Sequence, residues 1–164
     1  MIDQTAFIAP GAVVLGRVSL GMHASIWYNS VVRADMDEIS IGAETNIQDL
    51  SVVHVDEGFP CRIGSRVGVG HRTILHGCTI EDLCLVGMGS VLLNGVHVGT
   101  GSVIGAGAVL TEGMVVPPGS LVVGVPARVV REVGDELRER IESTWKHYVA
   151  EAEKHRTGRY PHHR

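Results

Sequence analysis

An aliphatic residue recurs every six positions along most of the chain. From Ile80 the series runs through Val86, Leu92, Val98, Ile104, Leu110, Val116 and Val122 without a break. Towards the N-terminus the same period holds in three runs: Ile8, Val14, Leu20, Ile26, Val32, then Ile41, Ile47, Val53, then Ile63, Val69, Leu75. Four residues after the later aliphatics lies a residue that is mostly small: Cys84, Ser90, Ser102, Ala108 and Ser120, with Val96 and Met114 larger. A helix would repeat near 3.6 and a half-buried strand at 2, so neither explains this spacing. A β-helix of hexapeptide repeats does. Each hexad supplies one short strand and one corner, and three hexads close a triangular coil. The aliphatic then points into the prism and the small residue sits where the interior narrows. Glycine, as in "VGMGSV" and "IGAGAV", serves corners that need positive φ or close backbone approach.

After "PARVVREV" the period changes. Val133, Leu137, Ile141, Tyr148, Val149 and Ala152 fall on one face of a helix among Glu, Arg and Lys, with Gly134-Asp135 at its start and "TGRYPHHR" at its end. The chain therefore divides into a β-helix over 1–130, an amphipathic helix packing on it over 131–158, and a tail over 159–164.

The breaks in the period place the polar residues. Val32 to Ile41 has three residues too many, Val53 to Ile63 four too many, and Leu75 to Ile80 one too few. With these breaks at corners, Val32, Val53, Leu75 and Leu92 share one face on successive coils. The residues that follow them form an outer column: Arg33, His54, His76, Leu93. Coils stack about 4.8 Å apart, so His54 and His76 are neighbours with Arg33 below. His71 belongs to the preceding face, above Asp49 and beside Gln48, and a corner turns it away from His76. With Zn–N bonds of about 2.0–2.1 Å, one chain does not close all three rings on one ion. A cyclic trimer does, because His54 and His76 of one prism then meet His71 of its neighbour. His23, His97, His147, His155, His162 and His163 have no such companions and are expected to be solvated.

Composition narrows the function classes. A formal net charge of −4 with no basic stripe argues against nucleic acid. Gly and Pro interrupt every apolar stretch, and the opening "MIDQTAFIAPGAVV" is not a leader, so no membrane segment is expected. Three cysteines without a C-x-x-C pair fit a reducing, cytoplasmic setting. Cys84 is expected in the core and Cys78 in a packing role.

The segments "SIWYNSVVRADMDEISIGAETNIQDLSVVHVD" (25–56), "VGVGHRTILHGCTI" (67–80) and "PPGSLVVGVPARVVR" (117–131) closely resemble the gamma-class carbonic anhydrase family. The resemblance implies a left-handed parallel β-helix, a homotrimer, and a metal at each subunit interface. The metal would be Zn2+, with Fe2+ or Co2+ possible, held by His54, His71 and His76. It implies hydration of CO2 to bicarbonate through a metal-bound hydroxide. Gln48 and Asp49 match the pair that orients metal-bound solvent. Arg33 and Asp35 match a pair that orders the interface and binds the product, and Asn46 matches a structural Asn. In the best-understood branch a Glu follows the Arg-x-Asp triplet and a long acidic loop follows the first His. Here those places hold Met36 and the short "VDEGFPCR". Asp56, Glu57 and Tyr148, the last from the terminal helix, remain as candidates to move the proton. Other readings are an acyl-CoA thioesterase using the same metal, an acyltransferase of the hexapeptide type, and a non-catalytic assembly protein.

Overall fold

The structure is a computed structural model and describes residues 1–161. The expected exposure of His162 and His163 lies outside the described residues. The hexads form a parallel β-helix. Among the described residues its strands fall into an eight-stranded and a ten-stranded sheet. The ten-stranded sheet holds two faces of the prism, joined by the long strand Val31–Ile41. Among the described residues every strand-to-strand pairing within the coil is parallel. The exception closes the top, where Ala127–Glu132 folds back antiparallel on Ser120–Gly124.

Register follows the aliphatic series. Val14, Val32, Val53, Leu75, Leu92 and Leu110 pair rung to rung on one face. Ile26, Ile47, Val69 and Val86 pair on the next. From Ile26 to Val122 the series is at most 3% exposed. Ile8 is 39% exposed instead, because the first coil has no coil beneath it to cover the prism. The small inward positions do more than fit. Their hydroxyls donate to carbonyls of the next coil, Ser90 to Gly105 at 3.0 Å and Ser102 to Pro117 at 3.0 Å. These bonds satisfy buried polar atoms that an apolar core could not serve.

The paired glycines divide their labour. A Cβ on Gly87 would lie 2.4 Å from the backbone nitrogen of Ala106, so this position requires close approach. Gly89 instead takes φ +69, the left-handed corner conformation. In the earlier coils Asn29, Leu50 and Arg72 adopt that conformation without glycine.

Leu92 is fully buried between Leu75 and Leu110. Leu92→Ala should cost about 2–5 kcal/mol, since neighbouring coils tied by backbone hydrogen bonds cannot close the gap. Urea unfolding midpoints of the two proteins measure it.

The terminal helix, Asp135–Arg156, lies along the outer surface of the eight-stranded sheet and buries Ile141 and Ala152. Residues 131–134, assigned to the helical unit from sequence, differ: the strand continues to Glu132 and Gly134 caps the helix. Acids Asp135 and Glu136 in the first turn, and Lys154, His155 and Arg156 in the last, suit the helix dipole. Two histidines expected in solvent are engaged. His155 Nδ1 lies 2.7 Å from the Tyr28 hydroxyl, within a cluster holding Phe7 and Trp27. His97 Nε2 lies 2.8 Å from Glu81, brought beside it by the stacking of coils. The three cysteines are free and buried. Hydrogen bonding to Cys61, 3.9 Å away, and burial push the Cys78 thiol well up, and burial takes Cys84 to about 11. Neither is a nucleophile at neutral pH.

Candidate metal centre

His54 ends the strand Val52–His54 and His76 ends Ile74–His76, and the two pair directly as neighbours in the ladder. Each follows an inward aliphatic, so alternation along the strand throws both rings outward. His54 Nδ1 lies 3.0 Å from His76 Nε2. Two nitrogens bound tetrahedrally to one ion at 2.0–2.1 Å would stand about 3.3 Å apart, so the pair already has the spacing of a chelate. With Asp56, these rings place ligand atoms within 4.8 Å of one another. His71 is not part of that group. It stands on the turn after Gly68–Val69, with its side chain 40% exposed.

The opposite nitrogen of each ring is held by its own oxygen. His54 Nε2 is 3.1 Å from Asp35 Oδ1, His71 Nδ1 is 2.8 Å from Asp49 Oδ2, and His76 Nδ1 is 2.8 Å from Asn94 Oδ1. A carboxylate or amide oxygen accepts, so in the neutral ring that nitrogen carries the hydrogen and the other carries the lone pair. The lone pairs left are on His54 Nδ1, His76 Nε2 and His71 Nε2. That donor set fits a divalent cation. His71 Nε2 has one further neighbour, the Tyr148 hydroxyl at a long 3.4 Å.

Asp35 also pairs closely with Arg33. Desolvation pushes the Asp35 carboxyl up, but hydrogen bonds from Arg33, its own backbone and His54 outweigh this and hold it below the usual range. Gln48 is buried and donates from Nε2 to Asn46 Oδ1 at 3.0 Å, and its side-chain carbonyl oxygen has no hydrogen bond among the described residues. Burial, with the charge of Asp49 nearby, lifts Tyr148 to about 12, so its hydroxyl keeps its proton throughout the neutral range. Eight residues singled out from sequence therefore gather into two groups on one chain. Arg33, Asp35, His54 and His76 form one, and Gln48, Asp49 and His71, with Tyr148 over them, form the other.

Asn94 was not foreseen. Its Nδ2 donates to Asp56 Oδ2 at 2.8 Å, so the short loop after His54 fixes the amide that holds His76. The missing residue between Leu75 and Ile80 was its signal. A Cβ on Gly77, in that shortened corner, would lie 2.3 Å from Asn94 Oδ1. Only a glycine there lets Asn94 cross to the ring. Asn94→Leu keeps the branched shape and removes the acceptor, and should weaken metal binding about 10- to 100-fold with little loss of fold. Competition titration against a chromophoric chelator reads the change.

Residues 77–112 match the bacterial transferase hexapeptide family (six repeats), and residues 60–92 match the hexapeptide repeat of succinyl-transferase. A Methanocaldococcus jannaschii protein named "Probable carbonic anhydrase" is 48% identical over 149 residues, 91% of this chain and 94% of that protein. Gamma carbonic anhydrase 2, mitochondrial, of Arabidopsis thaliana is 40% identical over 94% of this chain, which spans 58% of that longer relative. The chain belongs to the gamma-class carbonic anhydrase family. Among solved structures, a hexapeptide transferase family protein from Anaplasma phagocytophilum superposes with a TM-score of 0.89 at 40% identity, covering 93% of this chain and 90% of that one. Gamma-class membership and the coil thus agree with the resemblance that the Arg-x-Asp, Asn-x-Gln-Asp and histidine elements carried. No helix among the described residues is long and apolar enough to cross a membrane.

Proposed function

We propose that the chain forms a homotrimer that hydrates CO2 to bicarbonate, with a divalent cation shared by His54 and His76 of one subunit and His71 of a neighbour. The observation that carries this reading is the set of three outward imidazoles, each fixed on one nitrogen by a separate oxygen and split between two faces. The shared placement has a second support. Beside the His54–His76 column runs an apolar ladder, Val13, Val31, Val52 and Ile74, in which Val13, Val52 and Ile74 are 37–45% exposed, a surface suited to packing against another copy.

Zinc suits three imidazoles by default, and Fe(II) or Co(II) would accept them. When bound, such a cation acidifies a water to a pKa near 7 and so furnishes hydroxide for CO2 at neutral pH. The chain does the rest. Gln48, held by Asn46, accepts a hydrogen bond from the attacking water through its carbonyl oxygen and turns a lone pair towards the carbon. Asp49 and Asp35 keep the ring hydrogens of His71 and His54 away from the ligand side. The Arg33 guanidinium draws in the bicarbonate charge. Tyr148 stays protonated and donates to solvent or product at the mouth. Asp56 and Glu57, on the exposed loop, take the released proton to bulk water. Three unpaired thiols accord with a cytoplasmic setting.

Stopped-flow CO2 hydration tests the proposal on protein purified without oxygen and loaded with zinc, iron or cobalt, with metal content measured alongside. Rates well above the free-metal control support it. Full occupancy without hydration would end the hydratase reading and leave only the metal site.

A further inference from the structure

CO2 has three heavy atoms, yet the His71 half-site opens into a groove with a volume of about 470 Å³. The groove runs between the terminal helix and the outer surface of the eight-stranded sheet. Gln48 and His71 line it together with Leu85, Leu121 and Leu137, and so do Arg131 and Arg140. No acid lines it. Both guanidinium groups come from the C-terminal part of the chain, Arg131 from the last strand and Arg140 from the second turn of the helix. Arg131 donates only to the carbonyl of Glu132, and the Arg140 side chain has no hydrogen bond or ion pair among the described residues. An unneutralised pair of arginines beside an apolar trough is complementary to one kind of molecule.

We infer that this groove binds a small organic oxyanion with an apolar body. A carboxylate or phosphate monoester lies on Arg140 and Arg131, and its hydrocarbon lies over Leu85, Leu121 and Leu137 towards His71 and Gln48. The volume is within the range of small-molecule sites, roughly 300–1,000 Å³. Guanidinium groups take either oxyanion through paired N–H bonds, and the leucine wall rewards a hydrocarbon over water. The exposed ladder with Val13, Val52 and Ile74 is on a different face, and in the proposed trimer a neighbouring copy meets the trough at its His71 end. That the far end of the ligand meets the reacting centre, and so competes with CO2, rests on the metal reading above. The binding itself does not.

Calorimetric titration of the full-length protein with octanoate and with octyl phosphate tests this, using acetate (charge without body) and octanol (body without charge) as controls. One octanoate or octyl phosphate per chain is expected, at least tenfold tighter than either control. Arg140→Gln should weaken it at least tenfold at unchanged metal content, and Arg140→Lys should retain most of it. Binding should persist after chelation of the metal, so a failure of the metal reading leaves this result standing. Whichever of the two anions binds more tightly identifies the oxyanion. Octanoate binding that vanishes with the metal and ignores Arg140→Gln would mean carboxylate ligation to the cation, and would overturn the proposal. So would the absence of binding together with a change in oligomeric state in Arg140→Glu, which would mean that a second copy fills the trough.

Discussion

His76→Ala should lose its metal and its CO2 hydration together while the coil stays folded. The ring is outward and partly exposed, whereas the preceding Leu75 is fully buried in the prism. Removing the ring therefore takes away no core packing and opens no cavity. What disappears is one of the two nitrogens that stand 3.0 Å apart. Loss of an outer partner such as Asn94 weakens a site about 10- to 100-fold, and loss of the ligand itself should exceed the upper figure. Hydration should fall to the free-metal background. Leu92→Ala should do the reverse, lowering stability while each folded chain keeps its metal. Circular dichroism, metal analysis and stopped-flow rates on the two variants separate the effects. A His76→Ala protein that still holds a full complement of metal would remove this residue from the centre.

The coil was legible because its rule is local. One aliphatic every six residues fixes which side chains enter the prism, and parallel stacking turns equal spacing into vertical columns. Even the irregular corners can be counted through, so the Arg33–His54–His76 column and the stacking of His71 on Asp49 follow from spacing alone. The remainder depends on contacts that no period encodes. Asn94 reaches His76 only because one corner is a residue short and Gly77 leaves room. Asp56 reaches Asn94 from an irregular loop. His155 finds Tyr28 because the helix returns along the sheet with its C-terminus at the first coils, a packing choice set by Phe7 and Trp27. Amphipathic spacing announces that a helix will pack but not on which rungs. The trough with its two arginines follows from that same choice.

Mixing two inactive variants should restore activity, and the amount restored locates the third ligand. His71→Ala keeps the His54–His76 pair but cannot complete a neighbour's site. His54→Ala keeps His71 but presents a broken pair. Each homotrimer should be inactive. In a ring of three interfaces assembled from equal amounts, a site is whole when its His71 comes from a His54→Ala chain and its pair from a His71→Ala chain. Random mixing gives each condition one half, so about a quarter of the sites should recover. The chains must be exchanged through a reversible unfolding step, and differential tags followed by mass spectrometry confirm that mixed trimers form. Recovery near a quarter, in metal content as in rate, is what the division of ligands between faces requires. If all three ligands came from one chain, every site would lack a histidine whatever the mixture, and nothing would return. A mixed trimer without metal would therefore overturn the division of the ligands between subunits, and with it the placing of Asp49, whose carboxylate holds the His71 ring at 2.8 Å, across the interface from the His54–His76 pair.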